Sequence, residues 1–423
     1  MKILLRFAAL VAFVLPHAQA ADQVYGPASP TAPQLAERGS LPVGVKTLEL
    51  VNPDQLDTNT FDSKVDRPLT LEVWYPAHKN SGGELAHYDN ETRTGEAFSI
   101  QGDAYRDAKP AQSGDFPLVV ISHGYTGFRT IMFYLGEHLA SHGYVVAAID
   151  HTHSTNADVD FENNPGGGFV DTLMNRSRDQ QFVLDSFADE DFVLSALTNT
   201  DKAGVIGYSM GGYGALNTVG GCYDFTPEAL GQIGFPEAMA EKLAPVFNFC
   251  NAGQEKPDPR WGAMVSLSPW GQEHGIHNEE SLAAIEVPSL LMVGEQDDIV
   301  GFDPGVKSIY ETMAQKDRFM LVYESARHNI APHPAPQVAY QNLDDLGHHI
   351  EPVWSVEQLN DINEHFVLAF MDCYLKSESA ACDFLPRTER AVQTKKADGS
   401  FTPAWPGFKD RWGAGMRFYR GDR

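Results

Sequence analysis

The hexapeptide Gly207-Tyr208-Ser209-Met210-Gly211-Gly212 narrows the folds open to this chain more than any other feature. It closes the apolar run Ala203–Tyr208, which predicts a strand, and it opens Met210–Asn217, which predicts a helix. A serine at such a junction occupies a sharp turn at the strand's end. Glycines two positions to either side let strand and helix approach closely, and the helix start offers unpaired N–H groups to a developing negative charge. Ser209 is therefore the candidate nucleophile, and the strand that carries it belongs inside a sheet.

The surrounding pattern agrees. Leu118–Ile121, Tyr144–Ile149, Met264–Leu267, Ser289–Val293 and Arg318–Tyr323 are continuous apolar runs, expected of strands covered on both faces of a parallel sheet. Between and after them, Ile131–Ser141, Arg178–Leu197, Val306–Gln315 and Asn363–Lys376 have helical spacing. Strands alternating with helices imply right-handed crossovers and a mainly parallel α/β architecture with helices on both faces. Two further strands, Lys46–Val51 and Leu69–Tyr75, precede this region. Residues 77–116 are polar, rich in Gly and Asp, and without a sustained period, which predicts a long surface excursion; residues 154–177 predict another. These features delimit an exposed lead-in at residues 21–44 and one catalytic domain at residues 45–390. That domain carries an insert at about 220–260 after the nucleophile helix, and an aromatic-bearing extension at 391–423 is expected to pack on the body.

A serine hydroxyl needs a base, and the base needs an orienting acid. The strand Leu290–Gly294 ends in Glu295-Gln296-Asp297-Asp298. Asp297 is the favoured acid, with Asp298 and then Glu295 as alternatives. The strand Phe319–Tyr323 is followed by His328, the favoured base, with His333 as fallback and His348 and His349 expected at the surface of a polar insert. The loop Ser122-His123-Gly124-Tyr125-Thr126-Gly127 follows the first central strand. The backbone N–H groups of Tyr125 and Met210 are the expected oxyanion pair. His123 reads as a buried structural histidine. His151-Thr152-His153 has ligand-like spacing but no nearby partner set, and Asp158, Asp160 and Glu162 read as a solvated acidic loop, so no metal is expected.

The amino terminus constrains location. Lys2 and Arg6 flank the apolar run Ile3–Leu15, and Ala18-Gln19-Ala20 follows, which predicts a signal peptide at residues 1–20 and export to the periplasm or medium. No later run is long enough to span a membrane. Four cysteines in an exported chain favour disulfides, and proximity favours Cys222–Cys250 and Cys373–Cys382. A net charge of −26 repels phosphate backbones, which excludes nucleic acid as an expected partner and suits a neutral or cationic substrate. Oligomeric state is not legible.

Pro117–His123 with Gly124–Gly127, Leu139–Val146, Gly207–Gly212, Leu267-Ser268-Pro269-Trp270 and Val287–Ile299 resemble the bacterial cutinase and polyethylene-terephthalate hydrolase group. Arg67-Pro68-Leu69 and Val73-Trp74-Tyr75-Pro76 are more similar to dienelactone-hydrolase-like and platelet-activating-factor-acetylhydrolase-like esterases. The resemblance implies the α/β-hydrolase fold, a Ser209–Asp297–His328 triad, no cofactor, and Tyr125 and Trp270 flanking the substrate. Dienelactone hydrolases proper use a cysteine where this chain has Ser209. The insert with Cys222 and Cys250 is expected to form a cap that favours short-chain or lipid-like esters over polyesters. An acyltransferase or peptidase on the same triad and a non-catalytic binding protein are the alternatives.

Overall fold

The computed structural model describes residues 21–24, 26–247, 257–391, 395–402, 405–409 and 411–421. Among the described residues eleven strands form one sheet: β1 Val43–Leu56, β2 Lys64–Pro76, β3 Leu85–Glu91, β4 Ala97–Arg106, β5 Phe116–Ser122, β6 Val145–Asp150, β7 Thr198–Tyr208, β8 Trp261–Leu267, β9 Ser289–Gly294, β10 Arg318–Tyr323 and β11 Met416–Arg420. Their spatial order is β11-β10-β9-β8-β7-β5-β6-β2-β1-β4-β3. The six strands from β10 to β6 run parallel, and β2 and β11 flank them antiparallel.

The continuous apolar runs become the interior strands because each residue meets a covered face. Val119 and Ile121 join one core with helix α1 (Phe133–Ser141) and the closing helix Val356–Tyr374. Leu118 and Val120 join the opposite core with α2 (Phe169–Ala188) and α3 (Met210–Thr218). Helix α2 starts nine residues before the expected boundary and ends at Ala188, so part of the expected 154–177 excursion is helical.

Residues 77–116 are not one surface excursion. They contain β3 and β4, which extend the sheet as an antiparallel pair. The period of two is there, but small residues carry half of it: Ala86 and Tyr88 on β3, and Phe98, Ile100, Gly102 and Ala104 on β4, are the buried positions. The 21–44 segment is only partly exposed. Ala32 and Ala36 are buried, and the Leu35 N–H donates to His365 Nδ1 on the closing helix.

The insert forms α4 (Pro227–Gln232) and α5 (Glu237–Leu243). Thr226 caps α4 by accepting from the Ala229 N–H, and Pro227 follows where a missing N–H is harmless. Leu230, Leu243 and Phe247 enter the core on the α2–α3 face. After the closing helix, Cys373 and Cys382 are disulfide-bonded; the Cys222–Cys250 pairing involves residue 250, outside the described residues, as is the expected signal peptide. Trp405, Phe408 and Phe418 of the carboxyl-terminal segment pack on Phe366. Among the described residues no helix is long and apolar enough to cross a membrane.

Candidate active site

Ser209 links β7 to α3 with φ 53° and ψ −114°, a backbone conformation that costs a non-glycine residue energy. Three backbone hydrogen bonds hold it there. Its N–H donates to Leu267 O at 2.9 Å, and its carbonyl accepts from Tyr213 N at 3.0 Å and Trp270 N at 3.2 Å. The flanking glycines are dictated by contact. A Cβ on Gly207 would lie 2.1 Å from Gly211 O, and one on Gly211 would lie 2.0 Å from Ser122 O.

His328 stands on the loop after β10 with Nε2 3.1 Å from Ser209 Oγ. Its Nδ1 lies 3.0 Å from both carboxylate oxygens of Asp297, on the loop after β9. The parallel register of β7, β8, β9 and β10 brings these three loops to one rim of the sheet. Burial alone would raise the Asp297 carboxyl. The hydrogen bond and charge of His328 and the N–H groups of Val300 and Ile299 outweigh it and hold that carboxyl below its ordinary value.

The alternative acids go elsewhere: Asp298 pairs with Arg327, and Glu295 pairs with Arg417 and accepts from the Ser325 N–H. His333 is buried, with Nδ1 2.7 Å from Pro334 O. His348 and His349 are not at the surface as expected. They are 3% and 1% exposed, and the His349 ring lies 4.8 Å from that of His333. The cause is the Glu351 carboxylate, which accepts from the N–H groups of Arg327 and Asn329, while Asn329 Nδ2 donates to the carbonyls of Gly347 and Ile350. These bonds fold the segment back beside the triad, and it becomes a wall.

That wall encloses a cavity of about 400 Å³, within the size range of small-molecule sites. Its lining includes Ser209, His328, Gly124, Tyr125, Ile299 and Arg93, with Leu343 to Pro352 on the wall side. None of the described insert residues lines it, so access is narrowed by residues 343–352, where the insert was expected to do so. Gly124 lies against Ser209, since a Cβ there would sit 3.3 Å from Ser209 Cβ. The next residue, Tyr125, borders the cavity, and Met210 opens α3.

The model of the prolyl oligopeptidase family matches residues 130–346, more than half of the chain and the part that carries Ser209, Asp297 and His328. The chain belongs to the prolyl oligopeptidase family. A second model, platelet-activating factor acetylhydrolase isoform II, matches residues 39–167 of this prolyl oligopeptidase family member, including Gly124 and Tyr125. Cutinase est2 of Thermobifida alba is 26% identical over 221 residues, 52% of this chain and 55% of that protein. The chain thus spans about half the length of the cutinases it matches. The platelet-activating factor acetylhydrolase of Cavia porcellus is 32% identical over 112 residues, 22% of this chain and 26% of that protein. A solved ferulic acid esterase from Streptomyces cinnamoneus superposes with a TM-score of 0.56 at 22% identity, covering 85% of this chain and 94% of that one. That likeness shows the α/β-hydrolase fold.

This member of the prolyl oligopeptidase family holds a second serine–histidine–aspartate array. Ser122 Oγ lies 2.8 Å from His151 Nε2, and His151 Nδ1 lies 2.8 Å from Asp179 Oδ2, all three fully buried. Arg67 donates from Nε and Nη2 to Asp179 and pairs with Asp171. None of its three side chains is exposed, and burial lowers the His151 pKa well below the usual histidine value. Both ring nitrogens of His151 are engaged within the array. Beside it, Arg176 Nη1 donates to His123 O at 2.6 Å and Arg176 Nη2 to Gly124 O at 3.2 Å, which fixes the carbonyls of the loop preceding Tyr125. Arg67, Arg176 and Asp179 were missed in the sequence, although polar residues at 172, 175, 176, 179 and 180 interrupt the buried stripe of α2 at helical spacing.

Trp270 does not line the cavity. It is 8% exposed and packs edge-on against Phe169 and Tyr213. Its link to the site is the N–H that supports Ser209 O.

Proposed function

We propose that this chain hydrolyses carboxylic esters of small or lipid-like molecules through an acyl-enzyme on Ser209. One observation carries the reading: Ser209 Oγ, His328 Nε2 and Asp297 are linked by hydrogen bonds in series, with the hydroxyl opening on a cavity. His328 takes the serine proton as Oγ attacks the ester carbonyl, Asp297 holds the imidazole and steadies its positive charge, and His328 then protonates the leaving alcohol. Water repeats the sequence on the acyl-enzyme. The Tyr125 and Met210 N–H groups receive the oxyanion, a role supported by the seat of Gly124 against Ser209 and by the start of α3. Tyr125 also borders the substrate.

The enclosing wall at residues 343–352 favours small esters over polymers. Export to the periplasm or medium is supported by the Cys373–Cys382 disulfide. Family membership makes peptide-bond hydrolysis the second reading. A p-nitrophenyl ester chain-length series on the wild type and Ser209→Ala, beside a peptide amide series, tests both. Ester turnover that vanishes in Ser209→Ala, with fluorophosphonate labelling of Ser209, is expected; turnover of peptides without esters would favour the second reading.

A further inference from the structure

We infer that Arg93 recognises an anionic group on the substrate, so that the preferred esters carry a carboxylate elsewhere in the molecule. This inference rests on ester hydrolysis at Ser209.

Arg93 follows β3 and lines the same cavity as Ser209 and His328. Its Nε is buried without a hydrogen-bond partner, and among the described residues its guanidinium makes no ion pair. Its guanidinium carbon lies 4.9 Å from the centre of the Phe161 ring, a cation–π contact that supports the head group and leaves its donors unused.

Nearby arginines set the contrast. Arg67 is buried against two carboxylates, Arg129 pairs with Glu72 and Asp150, and Arg327, which also lines the cavity, is already paired with Asp298. Arg176 has no ion pair among the described residues, but its Nη groups donate to His123 O, Gly124 O and Ser154 Oγ. Burial lowers the Arg93 pKa despite the pull of Tyr208, Asp345 and Asp344, whereas the Arg67 pKa is raised by Asp179 and Asp171 against its burial. Asp345 is engaged by Thr94 and Asn342. An unsatisfied guanidinium in a partly enclosed site is costly unless a ligand completes it, and a carboxylate matches its planar fork.

The cavity therefore presents an ester-cleaving serine and an unpaired cation on one small space. The exterior, at net −26, does not contradict this, because the local field at the wall is set by its nearest charges.

Two matched pairs test the inference: p-nitrophenyl hydrogen adipate against p-nitrophenyl hexanoate, with the charge on the acyl side, and 4-carboxyphenyl acetate against phenyl acetate, with the charge on the alcohol side. The readout is the ratio of kcat/KM between the charged and neutral members, measured on one enzyme preparation so that partial misfolding cancels. In Arg93→Met the ratio should fall by roughly ten- to a hundredfold for at least one pair, with partial recovery in Arg93→Lys. An unchanged ratio in both pairs would overturn the inference while leaving ester hydrolysis standing. Loss of all ester turnover in the wild type would instead overturn the reading of Ser209.

Discussion

His151 and His328 stand in the same hydrogen-bonded relation to a serine and an aspartate, yet only His328 borders open space. Access and backbone setting, not the array itself, are expected to separate chemistry from scaffolding. Ser209→Ala should lower kcat by about 10⁶. Ser122→Ala should keep most of the activity and lose about 1–3 kcal/mol of stability, because His151 Nε2 is left buried without its partner. Paired kinetics and urea unfolding check this. A Ser122→Ala enzyme as inactive as Ser209→Ala, yet fully folded, would defeat it.

The two neighbouring carboxylates after β9 should behave very differently. Asp297 meets the imidazole and two backbone N–H groups, whereas Asp298 meets only the half-exposed Arg327. Asp297→Asn is expected to lower kcat by about 10⁴, since the amide no longer holds the imidazole in its working tautomer. An exposed ion pair is worth ~0–1 kcal/mol, so Asp298→Asn should change kcat little. Steady-state kinetics on the two variants decides; equal losses would make Asp298 a partner of the histidine after all.

The interior strands and the placement of Ser209, Asp297 and His328 at strand ends were legible for a shared reason. A strand covered on both faces must be apolar throughout, and chemistry placed at strand ends inherits the order of those strands. Leu118–Ile121, Ser209, Asp297 and His328 all follow from this. β3 and β4 were hidden because an edge pair needs only one apolar face, and Ala86 and Ala104 carry little hydrophobic signal. The wall at residues 343–352 was hidden because polar groups hold it. Glu351 and Asn329 read as solvated residues until the N–H and carbonyl groups they satisfy are seen. His348 and His349 were misplaced with them. Trp270 lies next to Ser209 through its backbone, while its ring turns into the core, and a sequence position does not distinguish those two directions.

Arg176 should matter to turnover although it touches no substrate. It holds the carbonyls of His123 and Gly124 and donates to Ser154 Oγ, so it sets the peptide planes that lead to Tyr125. Lysine keeps the charge but not the fork that reaches several acceptors at once. Arg176→Lys is expected to lower kcat by about ten- to a hundredfold with little change in KM, the signature of an oxyanion donor slightly out of place. A rise in KM at constant kcat would assign Arg176 to substrate binding instead.

Glu273 should make the folded state sensitive to alkali. It sits just after Trp270, where its carboxylate accepts from the Gly271 N–H. Burial raises its pKa to about 8 from an ordinary 4.5, with the charge of Asp297 adding to the rise and the backbone N–H groups opposing it. The folded chain therefore binds this proton more tightly than the unfolded chain does. Its contribution to stability is present in full below pH 4.5, is lost progressively as pH rises, and is gone above about pH 8. Glu273→Gln keeps a neutral side chain at every pH. The Tm of Glu273→Gln minus that of the wild type should thus increase from pH 5 to pH 8 and level off beyond. A difference that stays constant across that range would mean that Glu273 is already ionised in the folded protein at neutral pH, and that Asp297 works beside a second negative charge.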